Sequence, residues 1–190
     1  MADNELKAVL ERIAKALERM APQQVKDHSV EGADAFVWQT EPEKLVPIEK
    51  INRVKLNLLH GIDQQIETLR GNTKRFSIGF SANNALLWGA RGTGKSSLVK
   101  AIHDEINQRT PGALVLIEIH REDINTLPKL LNILSKSSRQ CLLFCDDLSF
   151  EMEDSTFKSL KAVLEGGIEG RPANIIFEEN NSFRFKLKHA

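Results

Sequence analysis

The sequence has no tyrosine, two cysteines, no excess of either charge and no long apolar run. Each shortage excludes something. Lys and Arg number 26 and Asp and Glu number 26 over 190 residues, so the basic excess that usually marks a nucleic-acid or anionic-membrane binder is missing. Only a local patch, such as Lys74-Arg75 or the basic C-terminal stretch, leaves nucleic acid open as a partner. The apolar runs are about five residues long against the ~20 of a membrane-spanning helix, and the charged, amphipathic N-terminus lacks a signal-peptide core. A cytoplasmic protein with no membrane partner is expected. Cys141 and Cys145 both lie inside Cys141-Leu142-Leu143-Phe144-Cys145, which reads as a buried strand, and no other Cys or clustered His completes a ligand set. They read as core thiols, against a disulfide or half of a metal site. A chain of this length buries roughly 70% of its unfolded surface, enough for a core without cross-links.

Residues 4–20 place Leu6, Val9, Leu10, Ile13, Leu17 and Met20 on one helical face. Residues 21–50 lose that periodicity at Pro22, Pro42 and Pro47 and read as a linker wrapping the core, with Trp38 as an anchor rather than a ligand-stacking ring. From Val54 onward strand and helix patterns alternate, the signature of a three-layer α/β domain with a mainly parallel sheet. The pattern predicts helices over residues 62–69, 95–108 and 125–135, and one from near Asp154 that buries Phe157, Leu160 and Leu164. Strands are expected over residues 84–88, 113–119, 141–145 and 173–177. The division is thus residues 1–50 as helix and linker, 51–177 as the core, and 178–190 as a divergent basic tail.

Between the first of these core strands and its helix lies Gly89-Ala90-Arg91-Gly92-Thr93-Gly94-Lys95-Ser96, which fits the phosphate-loop pattern G-x-x-x-x-G-K-[ST] at every fixed position. Glycines let successive N–H groups converge on a phosphate, and the helix N-terminus adds about half a positive charge there. Lys95 is the candidate for the β- and γ-phosphates, and Ser96 for a Mg²⁺ ligand. Ser97 is assigned to helix capping and the edge of the site, and Arg91 to a phosphate or a neighbouring subunit, against a solvated loop position.

Such a loop works with a carboxylate at the end of a neighbouring strand. Leu142-Leu143-Phe144-Cys145-Asp146-Asp147 is an apolar run ending in two acids, and it resembles the Walker B element of ATPases. Asp146 is then the metal-associated acid, and Asp147 the residue that polarises water, one methylene shorter than the more usual Glu. The plainer alternative is that both acids cap the next segment. Glu118 and His120 close the second strand as either nucleotide-sensing groups or solvated ones.

Leu59-His60-Gly61-Ile62-Asp63, Asn83-Asn84, the phosphate loop and the stretch from Phe144 through Leu148-Ser149-Phe150-Glu151 together resemble a bacterial AAA+-like ATP-binding family catalogued as a domain of unknown function. The likeness covers residues 30–177. It implies an AAA+ core with strand order 5-1-4-3-2, ATP and Mg²⁺ as ligands, and assembly through neighbouring subunits or a protein partner. Asn180 and Asn181 are the candidates for the polar sensor that such a protein carries after its fourth strand. The resemblance further implies a fifth strand, an arginine finger and a lid, which are expected to fall beyond this sequence, with Arg171 a stand-in for the finger or part of a solvated turn. Phe183-Arg184-Phe185-Lys186-Leu187-Lys188 alternates apolar and basic residues, and reads as a strand, a ligand for an acidic surface, or an altered terminus.

Three function classes follow: a weak ATPase, a nucleotide-dependent interaction switch without turnover, and a helicase-loader-like remodeller. A GTPase is disfavoured, since Asp146 precedes Asp147-Leu148-Ser149 where Asp-x-x-Gly is expected, and Asn72-Thr73-Lys74-Arg75 lacks the Asp of a guanine reader. The charged His120-Arg121-Glu122-Asp123 does not resemble a peptide-threading loop.

Overall fold

In the computed structural model, which describes residues 12–13, 29–90, 92–146 and 172–181, the strand and helix alternation becomes a six-stranded sheet. The strands are β1 (Ala35–Thr40), β2 (Glu43–Pro47), β3 (Ala85–Trp88), β4 (Leu114–Ile119), β5 (Gln140–Cys145) and β6 (Ile175–Asn181). Their order is β2-β1-β4-β5-β6-β3, and every pair is parallel except β1 with β2. Counted from the phosphate-loop strand, the run β3-β6-β5-β4 is the 1-4-3-2 portion of the order the resemblance implies. Helices α1 (Asp63–Ser77), α2 (Lys95–Arg109) and α3 (Leu127–Leu134) complete the layers.

β5 shows how the layers are held. Its residues alternate between faces, with Cys141, Leu143 and Cys145 on one side and Leu142 and Phe144 on the other, and all five are buried because helices cover both faces. The first face meets Leu127, Leu130 and Leu134 of α3, whose spacing puts one apolar stripe on the sheet. Each such side chain contributes about 2 kcal/mol by leaving water. The second face meets Leu69 and Phe76 of α1 and Leu98, Val99, Ile102 and Ile106 of α2.

Several elements differ from the sequence reading. Residues 35–47, expected within a wrapping linker, are a hairpin that widens the sheet. β1 lies between β2 and β4, so Ala35, Phe36 and Trp38 are all buried and the strand reads as a short apolar patch without alternation. Pro42 sits in the turn and Pro47 ends β2 at the sheet edge, where neither interrupts a central ladder. Trp38 is the core anchor it was expected to be, fully buried and donating Nε1–H to Thr126 Oγ1 at 2.8 Å.

α1 continues to Ser77, well past residue 69, since Thr73 and Phe76 extend the buried stripe of Leu69 across Gly71. The 125–135 segment divides into a 3₁₀ turn, Arg121–Thr126, followed by α3, with Pro128 in the first turn as expected. β6 runs four residues beyond Phe177, so the strand occupies the start of what reads in the sequence as a tail. Arg12 and Ile13 are helical and exposed, and the rest of the expected 4–20 helix, the Asp154 helix and the 183–188 alternation lie outside the described residues. No helix among the described residues is long and apolar enough to cross a membrane.

Candidate functional site

β3 ends at Trp88, the loop follows, and α2 starts at Lys95. Gly94 is the N-cap of α2 with φ 84° and ψ 10°, and no side chain caps the helix, so its first N–H groups stay available to a ligand. Gly92 also has a positive φ, 80°, and these two left-handed positions let the backbone turn where an L side chain would strain it. A Cβ on Gly94 would also come within 3.6 Å of Leu59 Cδ2, which brings the turn before α1 against the loop. The expected capping role of Ser97 is not seen, because Gly94 holds the cap position; Ser97 is half-buried next to Ser96.

Lys95 Nζ donates to Gly89 O at 3.0 Å and Ala90 O at 2.8 Å, and Thr93 Oγ1 donates to Ala90 O at 2.9 Å. The ammonium is thereby held over the loop, bound to neutral carbonyls. Ser96 Oγ lies 2.9 Å from both carboxylate oxygens of Asp146, the residue after β5. Asn180, on the neighbouring β6, donates Nδ2–H to Ser96 Oγ at 2.9 Å and to Asp146 Oδ1 at 3.0 Å. The sheet register explains the meeting: Cys145 is opposite Glu179 and Leu87 opposite Asn180, so three adjacent strand ends converge beside the α2 N-terminus. Asn180 is fully buried, and its Oδ1 has no hydrogen-bond partner among the described residues.

The donor set suits the expected ligands. Hard divalent cations bind oxygen, and Ser96 and Asp146 put oxygen donors in one place, while Asn180 beside them turns Nδ2 to both and keeps Oδ1 unpartnered. Among the described residues no three His, Cys, Asp or Glu side chains form a group that could hold a metal ion, so the carboxylate of Asp146 works here with a hydroxyl and an amide. The capless helix end, the two left-handed glycines and Lys95 suit a phosphate chain.

The surroundings sort charged groups by burial. Glu118 is half-buried and pairs with Lys100 at 3.4 Å, while Lys100 Nζ stands 5.8 Å from the centre of the Phe144 ring and one turn after Ser96. His120 is exposed. Glu178, two residues before Asn180, accepts a hydrogen bond from Thr73 Oγ1 at 3.0 Å, and burial pushes its carboxyl up to about 7. Burial also raises Glu179, and it pushes both thiols to about 12, Cys145 with help from the Glu179 and Asp146 charges. Both cysteines are free and buried, as expected of core thiols.

The structure thus brings together Gly89, Ala90, Gly92, Thr93, Gly94, Lys95, Ser96 and Asp146, and adds Asn180 and Leu59 as neighbours. Arg91, Asp147 and Arg171 lie outside the described residues. The sequence named Asn180 as one of two sensor candidates, but nothing in its spacing indicated contact with Ser96, 84 residues earlier. Leu59 enters the sequence reading through the family resemblance alone, since an isolated leucine carries no spacing signal toward the loop.

The chain belongs to the family described as "Protein of unknown function (DUF815)", whose profile matches residues 31–185. No curated protein matches it. Among solved structures it is similar to Trip13 of Rhizobiales, at 15% identity over 67% of this chain and 56% of that one, with a TM-score of 0.45. It is also similar to PCH-2 of C. elegans, at 15% identity over 72% and 40% with a TM-score of 0.49. A third is the Orc1 protein of Aeropyrum pernix in complex with DNA, at 13% identity over 65% and 39% with a TM-score of 0.48. This chain therefore spans 56% of the first structure's length and 40% of the second's. Its own strand order and phosphate loop make the fold an AAA+-like P-loop fold, the ATPase-like nucleotide-binding kind.

Proposed function

We propose, from the phosphate-loop motif and its geometry, that the protein binds Mg·ATP and hydrolyses it slowly in the absence of partners. The observation that carries the reading is the 2.9 Å contact of Ser96 Oγ with Asp146, which joins the phosphate loop to a strand end 50 residues later. Lys95 exchanges its two neutral carbonyl acceptors for phosphate oxygens, which accept roughly twice as strongly because they are charged. Ser96 and Asp146 hold the cation, which when bound neutralises part of the phosphate charge. Asp147 orients a water whose oxygen attacks the γ-phosphorus while the bond to the β-phosphate oxygen breaks, giving ADP and phosphate.

A nucleotide-gated switch is the competing reading, favoured by the short side chain of Asp147 at the water-positioning place. Copies of this chain or a protein partner would complete either device, in the cytoplasm. The test is a titration of Mg·ATP and Mg·GTP into the protein, following Trp88, which is 70% exposed one residue before the loop. Phosphate release is recorded on the same samples. Saturable ATP binding with slow release supports the proposal, and release per chain that rises with protein concentration adds assembly to it. ATP binding without any release selects the switch, and no binding of either nucleotide overturns both.

A further inference from the structure

We propose that Asn180 is a third protein ligand of the cation site and that its carboxamide turns over when the cation enters. This rests on the reading of Ser96 and Asp146 as cation ligands. Ser96 Oγ, Asp146 Oδ1 and Asn180 Nδ2 lie 2.9, 2.9 and 3.0 Å from one another. An octahedral Mg²⁺ holds its oxygens at about 2.1 Å, which places neighbouring ligands about 3.0 Å apart along each edge. The triangle therefore has the dimensions of one octahedral face. Ca²⁺, with oxygens at about 2.4 Å, needs octahedral edges of about 3.4 Å and fits it less well.

As the amide stands, its nitrogen faces the other two atoms and donates to both, while Oδ1 is buried without a partner. A half-turn about Cβ–Cγ exchanges nitrogen and oxygen at nearly the same places, because the planar amide is close to symmetric in shape and its hydrogen-bond surroundings decide which end goes where. A carboxylate and a hydroxyl alone favour the nitrogen. A dication between them repels the two N–H groups and attracts Oδ1, a hard neutral donor, so the turn removes an unfavourable contact and employs an orphaned oxygen. The backbone suits this task, since Asn180 is carried on β6 between β5 and β3 and not on a loop. One hydroxyl, one carboxylate and one carboxamide leave three positions of the octahedron for phosphate oxygens and water.

The experiment uses Mn²⁺ as the probe, titrated without nucleotide and followed by electron paramagnetic resonance, with Mg²⁺ and Ca²⁺ as competitors. The wild type is expected to bind one Mn²⁺ saturably and to release it to Mg²⁺ more readily than to Ca²⁺. Asn180→Ala is expected to bind it about tenfold more weakly or worse and to lose the preference for Mg²⁺. Asn180→Asp, which keeps an oxygen at the same place and adds charge, is expected to bind more tightly than wild type. A thermal melt reports whether each variant is folded, and if the alanine variant is not, the aspartate variant decides. Undiminished affinity in Asn180→Ala, no gain in Asn180→Asp, or no saturable Mn²⁺ site in the wild type overturns the proposal. Because nucleotide is left out, a failed ATP titration alongside the expected Mn²⁺ series removes the ATP reading and leaves this one standing.

Discussion

Asp146 and Glu178 are carboxylates on the same sheet face of neighbouring strands, and they have opposite fates. Asp146 follows the last residue of β5, is exposed, and has Ser96 and Asn180 as partners. Glu178 sits in the middle of β6, opposite Phe144, with Thr73 as its bonded partner and Oε2 unpartnered. A displacement of two residues along a strand separates an acid available to a ligand from one that its surroundings hold protonated up to about pH 7. The strand end is where charge is affordable, which is why ligands gather at the carboxyl ends of parallel strands.

The largest effect belongs to the strand-end region: Lys95→Ala is expected to lower Mg·ATP affinity about a thousandfold, roughly 4 kcal/mol, with the melting temperature little changed, as checked by calorimetric titration and a thermal melt. Next comes Glu178. Its folded carboxyl is raised to about 7 from an ordinary 4.5, so the folded state keeps a proton that the unfolded state loses across that window. Its stabilising share is full below pH 4.5 and gone above about pH 7, a loss on the order of 3 kcal/mol. Denaturant titrations across pH should show that decline, and Glu178→Gln should flatten it; a decline of the same size in the variant would assign it to other groups.

A smaller effect of opposite slope comes from His103, which burial holds below the usual histidine range, with its Nε2 3.1 Å from Leu114 O. The unfolded chain takes up a proton near pH 6.5 that the folded state refuses, so stability falls as pH drops below that value, and His103→Gln should weaken this acid limb. The smallest is Trp38→Phe, expected to cost about 1 kcal/mol in a chemical denaturation through loss of the bond to Thr126, with nucleotide affinity unchanged.

The same contrast explains what could be read in advance. The phosphate loop was legible because its glycines and Lys95 occupy fixed spacings, and Asp146 because an apolar run stops at it. Asn180 gained its meaning from β6 entering between β5 and β3, a register that local spacing does not encode. Glu178 concealed the length of β6, since a charged residue reads as the end of a strand, and only Thr73, 105 residues away, shows how the core accepts it. The hairpin of β1 and β2 was hidden by Pro42 and Pro47, which mark loops in most contexts and here mark a turn and a sheet edge.

β3 is four residues long and, among the described residues, is paired on one side alone, to β6. The strand that delivers the phosphate loop therefore hangs from the strand that carries Asn180. Amide hydrogens of Leu86 to Trp88 would then exchange as a reporter of how firmly β6 is seated, and a ligand that tightens the Asn180 corner would slow that exchange in a strand it never touches.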